Sequence, residues 1–125
     1  IPVWVGGDSE PALKRVVRAG DAFHAAFQKL DVVEASWRRI GELCDEAGRD
    51  RATLRLSIRL YLDPGEQMTP AKSIGGSTAQ MVDTVGAWAA IGVDHILLDP
   101  VAPGGIAGRR AAMEAFMTDV APLIR

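Results

Sequence analysis

Ile1-Pro2-Val3-Trp4-Val5-Gly6-Gly7-Asp8-Ser9 is the stretch whose reading decides the fold. A short apolar run meets two glycines, then Asp-Ser, then a helical pattern. The order reads as a buried strand, a tight glycine turn and a helix N-terminus. Such a turn offers bare backbone N–H groups at the positive end of a helix dipole. Gly6, Gly7, Asp8 and Ser9 are therefore a candidate seat for a phosphate, provided the Asp8 carboxylate points away from it. The chain opens directly in a core strand with no leader, so it is expected to be the second part of something larger.

Working outward, the same unit repeats. The first strand, Pro2–Val5, leads to a helix from about Glu10 to Ala19 that buries Ala12, Leu13, Val16 and Val17. Ser9 is its N-cap, Pro11 suits its first turn, and Gly20 is expected to end it in the left-handed conformation. A weaker strand, Ala22–Ala25, precedes a helix at about Val32–Ala47, with Asp31 and Glu34 spaced as a capping box and Gly48 as its stop. The clearest strand follows. Leu54, Leu56, Ile58, Leu60 and Leu62 alternate with Arg55, Ser57, Arg59, Tyr61 and Asp63, a period of two that defines a strand. After a loop from Pro64 to Gly76, Ser77 and Gln80 form a capping box for a helix to about Ile91. The fourth strand is Val93–Leu98. Pro103-Gly104-Gly105 leads to a last helix, about Arg109–Ile124, with Met113, Phe116, Met117, Val120 and Leu123 inward and Pro122 fraying its end.

Four strand–helix units imply a parallel sheet with crossover helices, an α/β fold. A complete (β/α)8 barrel takes ~250 residues, and this chain has 125. The expected fold is a single half-barrel segment over residues 1–125, four βα units with helices outside. An open α/β sheet is the lesser alternative. A half-barrel leaves two strand edges exposed, so pairing is expected, with a missing N-terminal half or with a second copy.

Composition narrows the function. Apolar residues make up 48% of the chain and the net charge is −2. A core is available, and no basic surface points to nucleic acid. One cysteine, Cys44, excludes an internal disulfide and a cysteine zinc site; it falls on an apolar helix face. No run approaches the ~20 apolar residues of a membrane span. The expected location is the cytoplasm.

The ordered motifs resemble a family. Ile1-Pro2-Val3-Trp4-Val5-Gly6-Gly7, Gly20-Asp21-Ala22-Phe23-His24, Gly76-Ser77-Thr78-Ala79-Gln80, Gly92-Val93-Asp94-His95-Ile96-Leu97-Leu98 and the ending Phe116 to Arg125 are similar, in that order, to the C-terminal half of bacterial luciferase-like monooxygenases. Ala22 and Phe23 depart from the family's Gly-Trp, and the loop before Gly76 is longer. The resemblance implies strands five to eight of a TIM-barrel oxidoreductase or monooxygenase. Its cofactor would be FMN or the deazaflavin coenzyme F-420, undistinguished, and its substrate a small organic molecule. The ring carries the redox chemistry while the protein positions it. The resemblance also implies that strands one to four supply much of the substrate pocket, so this segment alone would be an incomplete enzyme. The competing reading is a non-catalytic half-barrel that self-associates. A response-regulator-like domain would want an acidic cluster where the first strand instead ends in glycines.

The resemblance assigns the phosphate-anchoring turn to Gly6, Gly7, Asp8 and Ser9, although TIM-barrel phosphate sites more often use the loops after strands seven and eight. His24 stands at the family's histidine position, at a strand end, where it could bond the ring or give a proton. Arg59, near the C-terminal end of the strongest strand, could meet a phosphate or a substrate anion; a structural ion pair is the alternative for it and for Arg55. His95 reads as a core histidine, and Asp99-Pro100 with Gly104-Gly105 as a connector at the barrel mouth. Trp4, Trp37 and Trp88 read as core. The two histidines have no metal-ligand spacing, so no metal is expected.

Overall fold

The computed structural model describes residues 1–66 and 68–124. Five parallel strands and four helices follow in order: β1 (Trp4–Val5), α1 (Glu10–Ala19), β2 (Ala22–Ala26), α2 (Leu30–Ala47), β3 (Arg55–Asp63), β4 (Ser73–Gly75), α3 (Thr78–Ala90), β5 (His95–Pro100) and α4 (Gly105–Ala115). All pairings are parallel. β3 is the central strand. Its residues 55–59 pair with β2 and its residues 57–62 with β5, so these two lie on opposite edges. β4 takes the β2 edge of β3 beyond Arg59, at Tyr61–Asp63. This short strand lies in the segment expected to be loop. It can approach because Gly75 has no Cβ; one built there would collide with the Asp63 carbonyl oxygen.

One face of the sheet is the core. Leu56, Ile58, Leu60 and Leu62 of β3 are buried with Phe23 and Ala25 of β2. Against them pack Leu13, Val16 and Val17 of α1, Val33, Ile40, Leu43 and Cys44 of α2, Met81, Val85 and Trp88 of α3, and Phe116 and Val120 after α4. The sheet curls away from these helices. Trp4 on β1 lies edge-on to His95 on β5 with ring centroids 4.9 Å apart. Three strand spacings of a flat sheet would separate those strands by roughly 14 Å. Side chains can meet across β2 and β3 only on the concave side of a strongly curved sheet, which is the geometry of half a barrel.

Several local expectations change. β1 is not buried: it is an edge strand, and Trp4 is 40% exposed on the concave face. Gly20 is extended (φ −90°, ψ 154°), not left-handed. The Arg49 guanidinium does the capping instead, donating to the carbonyls of Val16, Val17 and Gly20 at 3.3, 2.7 and 2.8 Å. Glycine is required at position 20 for room, since a Cβ would sit 2.9 Å from the Val16 carbonyl oxygen. No Asp31–Glu34 box forms, because α2 starts earlier, at Leu30, and Asp31 accepts from the neighbouring Val32 N–H. Gly48 does close α2 at φ 65°, and the Ser77–Gln80 box is made at both of its bonds. The last strand is shifted by two residues. Met113, Met117 and Leu123 face outward, being 48%, 53% and 63% exposed. α4 lies over β5 at the edge of the sheet, where one of its flanks has no neighbouring helix among the described residues. Its continuation widens over Phe116–Val120 and ends in a 3-10 turn at Ala121–Leu123, where Pro122 lacks an N–H.

Candidate functional site

The concave face is built by the alternate residues of the strands. In one rung, His24, Ser57 and His95 stand in register across β2, β3 and β5. The Ser57 Oγ lies 2.9 Å from Nδ1 of both rings. Trp4 covers the pair, 5.6 Å from the His24 ring and 4.9 Å from that of His95. Burial, then repulsion from His95 and from Arg59, lowers the His24 pKa. His24 therefore sits in the middle of β2, not at its end. His95 is exposed on the concave face rather than in the core, because β5 turns its odd-numbered residues inward.

The next rungs toward the C-terminal ends carry Arg59, Tyr61, Leu97 and Asp99. Arg59 donates to the Asp99 carboxylate at 2.7 Å, so it is an ion pair, and its buried Nε has no partner among the described residues. Arg55 meets Asp94 at 3.7 Å with both side chains exposed. Phe27, directly after β2, has φ 53°. A positive φ is a strained outlier for a bulky side chain. It is held by its N–H to the Arg59 carbonyl (2.9 Å), by stacking on Tyr61 (4.2 Å) and by the Arg59 guanidinium over its ring (5.1 Å).

The glycine turn lies beside this wall. A Cβ on Gly6 would be 3.2 Å from the His24 carbonyl oxygen, so the turn runs tight against β2. Gly7 has φ 99°, which glycine alone adopts readily. Ser9 has N-cap backbone geometry, and its carbonyl accepts from Ala12 and Leu13. Its hydroxyl makes no cap bond. Gly6, Gly7, Asp8 and Ser9 are all exposed. The turn is thus level with His24 in the middle of β2, and Arg59 is level with Ala26, the last residue of β2.

A second recess, a cavity of about 450 Å³, lies beyond β3 among Asp63, Glu66, Met68, Ser73, Gln80 and Asp83. Asp63 is fully buried and accepts from the Met68 N–H. Among the described residues no cluster could hold a metal, and no helix is long and apolar enough to cross a membrane. Sequence reasoning missed Ser57, Trp4, Phe27 and Tyr61. Ser57 and Tyr61 were visible as the polar phase of the β3 alternation; Trp4 and Phe27 depend on curvature and on a backbone outlier.

No family model matches the chain, and no curated protein matches it by sequence. Solved structures do. All of this chain superposes on 49% of an F-420-dependent secondary alcohol dehydrogenase, determined with an F-420–acetone adduct, at TM-score 0.81 and 12% identity. It covers 51% of the coenzyme F-420-dependent tetrahydromethanopterin reductase from Methanopyrus kandleri at TM-score 0.76 and 15% identity. It matches 42% of a riboflavin lyase, determined with modified FMN and riboflavin, at TM-score 0.73 and 13% identity. These are luciferase-like TIM barrels, and the chain spans about half of each. At such identities the likeness is one of fold: the chain has the fold of half a luciferase-like barrel.

Proposed function

We propose that this chain is the cofactor-holding half of a luciferase-like, flavin- or F-420-dependent oxidoreductase or monooxygenase acting on a small organic substrate. The observation that carries the reading is the superposition of the entire chain on half of two F-420-dependent enzymes. The turn Gly6, Gly7, Asp8 and Ser9 would hold the phosphate end. In support, Gly7 adopts a positive φ, and the Ser9 hydroxyl is left unused by the helix cap. Backbone donors at a helix N-terminus suit an anion. His24 would face the ring, and Arg59, already neutralised by Asp99, would orient a neighbouring group rather than supply a free charge. When bound, FMN or F-420 supplies the hydride chemistry. The concave face needs a cover: four further βα units, on another stretch of chain or in a second copy.

The reading is tested by titrating the 125-residue protein with FMN and with F-420, following ligand fluorescence. Micromolar binding of one of them, weakened by Ser9→Ala, is the expected result. Binding that the substitution leaves unchanged removes the anchoring role. Self-association with no binding of either ligand favours the second reading, a non-catalytic paired half-barrel, for which the exposed Trp4 and Leu97 on the concave face are the supporting observation.

A further inference from the structure

The Ser57 hydroxyl is placed between two imidazoles, 2.9 Å from Nδ1 of each. A hydroxyl has one proton to donate and lone pairs to accept with. It can donate to one Nδ1 only, so with both contacts made the other Nδ1 must carry a proton and donate to Oγ. The two neutral rings are therefore held in opposite tautomers. The buried position of Ser57, the register His24–Ser57–His95 on three adjacent strands, and Trp4 against both rings fix the arrangement.

We infer that His24, Ser57 and His95 form a proton relay along the concave face, taking a proton at exposed His95 and delivering it through Ser57 to His24. The step balances without any redox partner. The His95 Nδ1–H bond breaks and its proton bonds to Ser57 Oγ. The original Ser57 O–H bond breaks and its proton bonds to His24 Nδ1. His95 is left neutral with its proton on Nε2, and His24 becomes the cation. When His24 then gives up its Nε2 proton to a bound acceptor, the rings stand in the reverse tautomers. The charged and titratable groups around the relay are Arg55, Arg59 and Tyr61 on β3, Asp94 just before β5 and Asp99 on β5; β1 contributes only Trp4. Asp94 and Asp99 are engaged by Arg55 and Arg59, so neither carboxylate bonds to the relay. Burial and the neighbouring Arg59 make a proton on His24 easily surrendered. Ser57 and His95 are positioning residues in this scheme. It rests on reading the concave face as the ligand side.

The test needs no cofactor, so its failure is separable from that of the cofactor reading. Long-range proton–nitrogen NMR of the two imidazoles, recorded against pH on the 125-residue protein, reports their tautomers and titrations. The expected result is one ring protonated at Nδ1 and the other at Nε2 near neutral pH, with both rings responding to the first proton taken up. Ser57→Ala, with its fold checked by the backbone amide spectrum, should abolish the opposite tautomers and let each ring titrate alone. Two rings in the same tautomer in the unsubstituted protein, or titrations unchanged by Ser57→Ala, would overturn the relay. Should the variant fail to fold, the tautomers of the unsubstituted protein decide the matter.

Discussion

β3 has two faces with opposite character, although they belong to the same nine residues. Leu56, Ile58, Leu60 and Leu62 are packed under the helices at 0–1% exposure. Arg55, Ser57, Arg59 and Tyr61 stand on the other side and make ion pairs, a hydroxyl bridge and a ring stack. The first set buys stability by leaving water. The second is polar, partly solvated and held by partners on adjacent strands. A strand that spends alternate residues in this way has a structural side and a chemical side. The curl of the sheet gathers the chemical side into one concave wall.

The largest expected effect tests the structural side. Ile58→Ala should cost about 2–5 kcal/mol, read from the denaturant midpoint, because Ile58 is fully buried. Its neighbour Arg59→Ala should cost no more than about 1 kcal/mol, since its ion pair with Asp99 is substantially exposed. Equal costs would break the comparison. Next is Arg49→Ala, which strips a guanidinium from three carbonyls at the end of α1. A loss of about 1.5–3 kcal/mol is expected, and a neutral result would mean that water replaces it.

The chemical side has its own pH signature. His24 takes up a proton less readily in the folded chain than the 6.5 of a free imidazole, chiefly through burial. Below 6.5 the unfolded chain binds the proton first, so acidification favours unfolding. The His24 contribution is therefore complete above 6.5 and is lost as pH falls through the lower folded value. Unfolding midpoints measured for the unsubstituted protein and His24→Asn should diverge across that window, the variant being the less acid-sensitive. The smallest stability effect belongs to Ser9→Ala. With no cap bond to lose, it should change stability by less than about 0.5 kcal/mol. If Ser9 donates to a charged phosphate, the same change should weaken cofactor binding roughly tenfold.

Much of this was legible in the sequence. The Leu54–Asp63 alternation located the central strand and both of its faces, and the Ser77–Gln80 spacing located the start of α3. The glycine turn and Ser9 marked the start of α1. Elsewhere tertiary contacts outweighed local signals. Gly20 looked like a left-handed stop, but a guanidinium 29 residues away holds that helix end. Met113 and Met117 had the spacing of core residues, yet α4 lies at the sheet's edge and leaves them outside. His95 and Trp4 looked like core because nothing local encodes which way a sheet curls. The bridge from His24 to His95 joins residues 71 apart in sequence through a serine with no motif of its own.

The central claim is that the concave wall is a ligand face that works when covered. The most direct measurement is the solution mass of the protein, taken by light scattering with and without saturating FMN or F-420, alongside the binding isotherm. The account predicts micromolar binding by a species larger than one 125-residue chain. Assembly into a larger species that binds neither ligand would contradict it.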